Sequence, residues 1–167
     1  MPNSVTQQYI DLVNSTPYLQ SIARNGKRIV EVEQYTYLLS IGSASAGGAN
    51  ILLSGGAFRG IVTTQGDSDF VVETLAVELA AATATDVFSV YGRNVTLQIQ
   101  DLKTGKFLYS QPTIYSLLGG AGGMPFTFFT PHVMPPNTVL QATIQNRDQN
   151  NYASFFCAFQ GFKVFYA

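Results

Sequence analysis

The chain has 167 residues, a length that suits one domain with its own hydrophobic core. Only 11% of the residues are charged and the formal net charge is −1, which argues against nucleic-acid binding because phosphate contacts require clustered Lys and Arg. Aromatic residues make up 13% of the chain. A weakly charged, aromatic-rich surface does little to repel a neighbouring molecule, so the composition predicts a subunit of an assembly.

Residues 1–26 differ from the rest of the chain and predict a short helical or extended segment. Thr16 and Pro17 are typical of a helix start, and Gly26 is typical of a helix end. The apolar side chains available for docking are Tyr9, Ile10, Val13, Tyr18, Leu19 and Ile22. Two interpretations remain open: a lid over one end of a β domain formed by residues 27–167, or an arm that docks on a neighbouring subunit.

From Lys27 onward the apolar residues recur with the period of two that is typical of β-strands. The stretch RIVEVEQYTYLLSI predicts a first strand in which one face carries Ile29, Glu31, Glu33, Tyr35 and Tyr37. Val30, Val32 and Gln34 are expected on the opposite face.

The stretch DFVVETLAVELAAATAT is compatible with either a strand or an alanine-rich helix. Its β-branched start and its Thr-Ala-Thr end favour a strand that runs into a loop.

Three further strands follow. NVTLQIQD and TVLQATIQN predict inward-facing side chains at Val95, Leu97, Ile99, Leu140, Ala142 and Ile144. The last stretch, YASFFCAFQGFKVFYA, is apolar on both faces and predicts a central strand. Gly161 within it indicates a bulge or a close backbone contact. Short strands separated by regular Gly- and Asn-containing turns predict an antiparallel β-sandwich or barrel.

The Gly- and Pro-rich stretch LLGGAGGMPFTFFTPHVMPP does not fit a nucleotide site. GGAGGMP lacks the Gly-Lys-Ser/Thr ending that supplies a phosphate-binding lysine, and no helix is expected after it. We interpret it as a connection between sheets and an edge strand, in which prolines limit backbone pairing. His132, the only histidine, is expected to be a loop or interface residue, because no motif for a nucleophile accompanies it.

No cofactor, metal site or catalytic residue is predicted. Cys157 is the only cysteine, which excludes an intrachain disulfide and a Cys-based metal site. Asp67, Asp69, Asp86 and Asp101 are expected to stabilise turns by hydrogen-bonding nearby backbone. The tyrosines that offer stacking surfaces for sugars are Tyr35, Tyr37, Tyr91, Tyr109 and Tyr115, but packing in the core or at a subunit interface is the ordinary use of such side chains.

The N-terminus, MPNSVTQQYIDL, lacks a basic region followed by an apolar stretch, so no signal peptide is expected. No apolar run reaches the roughly 18 residues that span a bilayer, so no membrane partner is predicted. These features predict folding in a reducing cytoplasm.

The region from Asp67 to Ala167 resembles small structural proteins of tailed bacteriophage virions. The resemblance rests on DSDFVVETL, on VTLQIQDLKTGKFLYSQP with its Asp-x-x-Thr-Gly hairpin, on the Gly/Pro crossing with PNTVL, and on FFCAFQGFKVF. It implies a jelly-roll-like β-sandwich, made in the host cytoplasm and located in the virion near the capsid or the neck. Residues 1–26 have no counterpart in this resemblance.

The leading hypothesis is therefore a non-enzymatic capsid decoration, or cement, subunit that contacts the major capsid protein or other virion proteins. A homo-oligomer, with a trimer favoured, is expected. The alternative is a collar, fibre or receptor-recognition module that binds carbohydrate through loop tyrosines. A hydrolase that uses His132 ranks third.

Overall fold

The computed structural model describes residues 29–42, 52–81, 94–118, 125–149 and 151–167. Within these ranges the chain forms eight β-strands and one helical turn. They are β1 (Ile29–Gly42), β2 (Ala57–Thr63), β3 (Asp69–Ala81), β4 (Val95–Asp101), β5 (Thr113–Ile114), α1 (Tyr115–Leu118), β6 (Phe126–Met134), β7 (Val139–Asn146) and β8 (Tyr152–Tyr166).

The strands form two four-stranded antiparallel sheets. Sheet A has the order β1-β8-β3-β6, and sheet B has the order β2-β7-β4-β5. The pairs β1–β8, β2–β7, β3–β6 and β4–β5 are those of one long hairpin, and the pairs β8–β3 and β7–β4 join its successive parts into sheets. Eight strands wound in this way form a jelly roll. The predicted all-β, jelly-roll-like sandwich is confirmed.

Sheet B follows the predicted alternation closely. The six residues predicted to face inward on β4 and β7 are each at most 1% exposed; they are Val95, Leu97, Ile99, Leu140, Ala142 and Ile144. Their inward faces pack in one hydrophobic core with the inward residues of sheet A. The residues between them on the same strands lie half-buried on the outward side.

Sheet A contains the long strands of the molecule. The ambiguous DFVVETLAVELAA stretch is strand β3, as the β-branched composition favoured. Strand β8 is central, as predicted, because it pairs with β1 on one side and β3 on the other. Phe155, Cys157 and Phe159 of β8 point into the core and are fully buried.

Gly161 lies where two backbones approach closely, as predicted. It pairs with Val72, and the next pair in the ladder is Gln160 with Thr74, so Glu73 is an extra residue in β3. A Cβ atom at position 161 would overlap the carbonyl oxygen of Val71. Glycine is required here because the bulge in the neighbouring strand brings its backbone against β8.

The predicted face of Ile29 is wrong. Tyr35 and Tyr37 lie on the core side of β1 as expected, but Val30 is an extra residue between the pairs formed by Ile29 and Glu31. This bulge turns Ile29 to the opposite side of sheet A, where it packs with Val32.

The Gly/Pro-rich stretch is a connection followed by an edge strand, as interpreted. The chain leaves sheet B at α1 and enters sheet A at β6. Placing His132 in a loop was wrong, since it lies within β6 and pairs with Val72. Residues 128–131 of β6 lie opposite the single residue Glu73, and this irregular edge accommodates Pro131.

Candidate interaction surfaces

The interface residues predicted in the N-terminal segment lie outside the described residues. They are Tyr9, Ile10, Val13, Tyr18, Leu19 and Ile22. The surfaces that the structure describes belong to the β-sandwich.

The reactive side chains Cys157 and His132 lie in different environments, and burial shifts the pKa of each. Cys157 is buried at the centre of sheet A, and burial raises the pKa of its thiol. Burial lowers the pKa of His132, whose ring packs edge-on against Phe128 with centroids 4.9 Å apart. In the part of the chain that the structure describes, no group of three His, Cys, Asp or Glu residues is arranged to hold a metal ion.

The predicted role of aspartates in turns holds clearly at Asp101. One carboxylate oxygen accepts a hydrogen bond from the backbone N–H of Lys103 at 2.8 Å, and the other accepts one from the hydroxyl of Thr104 at 2.6 Å. This arrangement holds the β4–β5 connection in a tight turn that ends at Gly105, whose φ is 71°. Asp86 lies outside the described residues.

Of the five tyrosines considered for sugar stacking, Tyr37 is buried in the core, and Tyr35 and Tyr109 are partly buried against it. Tyr37 is buried against Phe70, and Tyr109 packs beside Phe126 and Phe128. Tyr35 packs beside Tyr37. Tyr91 and the side chain of Tyr115 lie outside the described residues. Packing against the core is therefore the use of these three tyrosines that the structure shows.

Two turns are joined at one end of the sandwich. The N–H of Thr64, in the β2–β3 turn, donates to the carbonyl of Thr138 at 2.9 Å. The N–H of Thr138, in the β6–β7 turn, donates in return to the hydroxyl of Thr64 at 2.9 Å. These reciprocal bonds fix the turns of the two sheets against each other.

Lys163 is buried at the same end, with 4% of its surface exposed. Its ammonium group lies 4.1 Å from the ring centroid of Tyr35 and donates a hydrogen bond to the side-chain oxygen of Gln65. The N–H of Gln65 donates to the hydroxyl of Tyr37 at 2.8 Å. A cation–π contact and an amide oxygen thus stabilise the charge and attach the β2–β3 turn to β8.

The outward side of sheet B forms a nearly uncharged surface, which we name the sheet B face. Its central positions carry glutamine and threonine in cross-strand rows such as Gln98–Thr143 and Gln100–Gln141. The face comprises Ala57, Arg59, Ile61, Thr63, Thr96, Gln98, Gln100, Ile114, Val139, Gln141, Thr143 and Gln145. Arg59 is its single charged residue, and Ile61 at its edge is 60% exposed.

The outward side of sheet A, the sheet A face, is more apolar. Leu38, Ala158 and Ala76 form one cross-strand row, and Leu38 is 60% exposed. Its residues include Val32, Gln34, Thr36, Leu38, Ser40, Asp69, Val71, Thr74, Ala76, Glu78, Val133, Phe156, Ala158, Gln160, Phe162 and Val164. Of these sixteen residues, two are charged.

One end of the sheet A face holds a second hydrophobic cluster, separate from the main core. Ile29, Val71 and Val164 are buried there, with Val32 and Tyr166 packed against them. We name these five residues the outer cluster. At this end, apolar side chains are therefore buried on both sides of sheet A.

Sequence reasoning did not identify these surfaces. The alternation of NVTLQIQD already placed Thr96, Gln98 and Gln100 outward. The neighbours that complete each face come from strands far apart in the chain, so strand order is needed to assemble them.

No protein-family model matches the chain, and no curated protein matches it. Among the described residues, no helix is long and apolar enough to cross a membrane.

Proposed function

We propose that this protein is a non-enzymatic structural subunit of a tailed-bacteriophage virion, a capsid decoration or cement protein. The strand and turn pattern from Asp67 to Ala167 supports this role through its resemblance to small phage structural proteins. The jelly roll is compatible with it, because viral capsid proteins use this fold, although lectins use it too. The fold alone therefore does not decide the function, which depends on the composition of the protein surfaces.

The observation that carries the proposal is the scarcity of charge on both outward faces. The sheet B face has Arg59 as its single charge, and the sheet A face has Asp69 and Glu78. Removing a charged group from water costs far more free energy than removing an amide, hydroxyl or methyl group. Faces of this composition can be covered by another protein at low cost.

In this proposal the subunit stabilises a capsid by many weak contacts that symmetry repeats. Each contact buries a neutral face against the major capsid protein or another virion protein. Repetition over symmetry-related copies, in a homo-oligomer with a trimer favoured, raises the total affinity well above that of one contact.

The experiment is co-sedimentation of the full chain with phage heads from which the protein has been removed. Gln98→Glu places one charge at the centre of the sheet B face, and Thr36→Glu places one on the sheet A face. Gln149→Glu, in the exposed β7–β8 turn, makes the same chemical change away from both faces and is the control.

Wild type and Gln149→Glu are expected to sediment with heads, and at least one face variant is expected to lose binding. A wild-type protein that stays monomeric and never sediments with heads contradicts the proposal. Equal binding by all variants contradicts the argument from the neutral faces.

The alternative of a collar, fibre or receptor-binding module retains less support. Tyr35, Tyr37 and Tyr109 pack against aromatic neighbours of the core, so Tyr91 and Tyr115 are the better candidates for a carbohydrate site. Binding on a glycan array that is lost in Tyr91→Ala or Tyr115→Ala would favour recognition over cementing.

A further inference from the structure

One cross-strand row of the sheet B face ends in an exposed apolar residue on each side. Gln141 of this row pairs with Ile61 in the edge strand β2. Gln100, which pairs with Gln141, forms a bridge on its other side with Phe107 in the β4–β5 connection. Ile61 is 60% exposed and Phe107 is 47% exposed. Because they end the same row, these two residues lie at the same level along the strands on opposite edges of the sandwich.

Charges of opposite sign lie beside these two apolar residues. The β4–β5 connection carries two exposed basic residues, Lys103 and Lys106. Strand β1, which packs against β2 near Gly60, carries two exposed acidic residues, Glu31 and Glu33. We define two surfaces from these side chains: the basic edge is Lys103, Lys106 and Phe107, and the acidic edge is Glu31, Glu33 and Ile61.

The charges of both edges lie at the same end of the sandwich. The N–H of Leu102 donates to the carbonyl of Val139, where β7 leaves the β6–β7 turn. On the other edge, the hydroxyl of Tyr37 accepts a hydrogen bond from Gln65 in the β2–β3 turn, and the two glutamates precede Tyr37 in β1. Since the two turns bond to each other, the lysines and the glutamates are level with each other on opposite edges.

Two nearby charges do not cancel this arrangement. Both carboxylate oxygens of Asp101 accept hydrogen bonds within the β4–β5 turn, from the N–H of Lys103 and the hydroxyl of Thr104. Arg59 pairs with Thr143 and lies further along β2, away from the end that carries the glutamates.

We infer that the acidic edge of one copy of this chain binds the basic edge of the next copy. Rotation about an axis roughly parallel to the strands keeps the level of every residue, so it places Ile61 of one copy beside Phe107 of the next. The same rotation brings the glutamates of one copy to the lysines of its neighbour. Two different surfaces that bind head to tail in this way can close into a ring. Two identical edges repel each other, which disfavours a two-fold contact.

This contact describes how the homo-oligomer in the proposed function is held together. It rests on that function only for the expected number of copies, a trimer, and it does not involve the capsid. It can therefore be tested without phage heads.

Sedimentation-velocity ultracentrifugation of the full chain, at several protein and salt concentrations, tests the inference. Wild type is expected to form a closed oligomer that dissociates more readily at high salt, because salt screens exposed charges. Glu31→Lys/Glu33→Lys places like charges across the contact, and so does Lys103→Glu/Lys106→Glu. Each double variant is expected to weaken association by roughly tenfold or more. Arg147→Glu, an exposed charge reversal in the β7–β8 turn at the opposite end, is the control and is expected to associate as wild type does.

The variant that combines all four substitutions exchanges the charges of the two edges and is expected to recover most of the wild-type association. Thermal unfolding shows that each variant is folded. A monomeric wild type overturns the inference, as does a folded double variant that associates like wild type. A combined variant that associates no better than the double variants also overturns it. A wild type that is monomeric in solution but sediments with phage heads overturns this contact and leaves the proposed function standing.

Discussion

The strands of sheets A and B follow one hairpin-like path, but the two sheets differ in strand length, register and burial. Strands β2, β7 and β4 of sheet B are seven or eight residues long and pair in a continuous register. Sheet A has strands of nine to fifteen residues, and register shifts interrupt all three of its strand pairs. Sheet B buries one face, whereas sheet A buries apolar residues on both of its faces.

This difference determines which outward substitutions each sheet should tolerate. In sheet B, strict alternation places amide and hydroxyl groups on the outward face. Exposing these groups to water, or covering them with another protein, costs little free energy. In sheet A, bulges re-aim residues, and Ile29 reaches the outer cluster because Val30 is inserted. Substitutions on the outward side should therefore be tolerated in sheet B and costly at the outer cluster.

The largest expected effect is that of Gly161→Ala, at the bulge in sheet A. A single Cβ atom would overlap the carbonyl oxygen of Val71, which belongs to the backbone and cannot rotate away. We expect the free energy of unfolding to fall by about 3 kcal/mol, the size of a severe overpacking change. Denaturant unfolding of both proteins measures this difference.

Gly105→Ala is the matched control, because its φ is positive but nothing lies within 4 Å of a Cβ atom there. Left-handed backbone strain alone should cost about 1 kcal/mol. Equal losses of stability in the two variants would show that the close approach at Gly161 contributes nothing beyond backbone conformation.

A smaller effect is expected on the outward faces, where the two sheets can be compared directly. Val164→Ala removes buried methyl groups from the outer cluster and should lower the free energy of unfolding by about 1.5 kcal/mol. Thr143→Ala, at the centre of the sheet B face, should change it by less than about 0.5 kcal/mol. Thermal and denaturant unfolding check both values, and a Val164→Ala variant as stable as wild type would remove the two-sided character of sheet A.

Local sequence pattern predicted much of this fold, because a strand with one buried face has apolar residues at alternate positions. Leu97, Ile99 and Ile144 were placed inward correctly, and the apolar character of both faces of β8 indicated its central position. The choice of a strand for DFVVETLAVELAA depended on β-branched residues, and β3 confirms it.

The features that could not be predicted depend on pairing between distant strands. The bulge at Val30 exists only relative to β8, and the inclusion of His132 in β6 depends on how that edge strand passes Glu73. The burial of Lys163 requires Tyr35 and Gln65 from other elements, so no local pattern around it indicates this burial. Both outward faces are likewise products of strand order.

The smallest expected effect is a loss of folding stability at acidic pH, and it should arise in sheet A. His132 packs against Phe128 at the edge of that sheet, and burial lowers the pKa of the imidazole from its ordinary value of 6.5. The unfolded chain therefore takes up the proton at a higher pH than the folded chain does. Stability from this group is fully present above about pH 6.5 and is lost as the pH falls from there to the lowered pKa.

The loss should be below about 1 kcal/mol, because the ring is only half-buried and water screens its charge. His132→Phe keeps an aromatic ring beside Phe128 and removes the titration. The difference in unfolding free energy between wild type and His132→Phe should shift in favour of the variant between pH 7 and pH 5. Urea unfolding at each pH measures this difference. A difference that stays constant over this range would show that His132 is equally solvated in the folded and unfolded chains. The edge of sheet A would then be more open than its packing indicates.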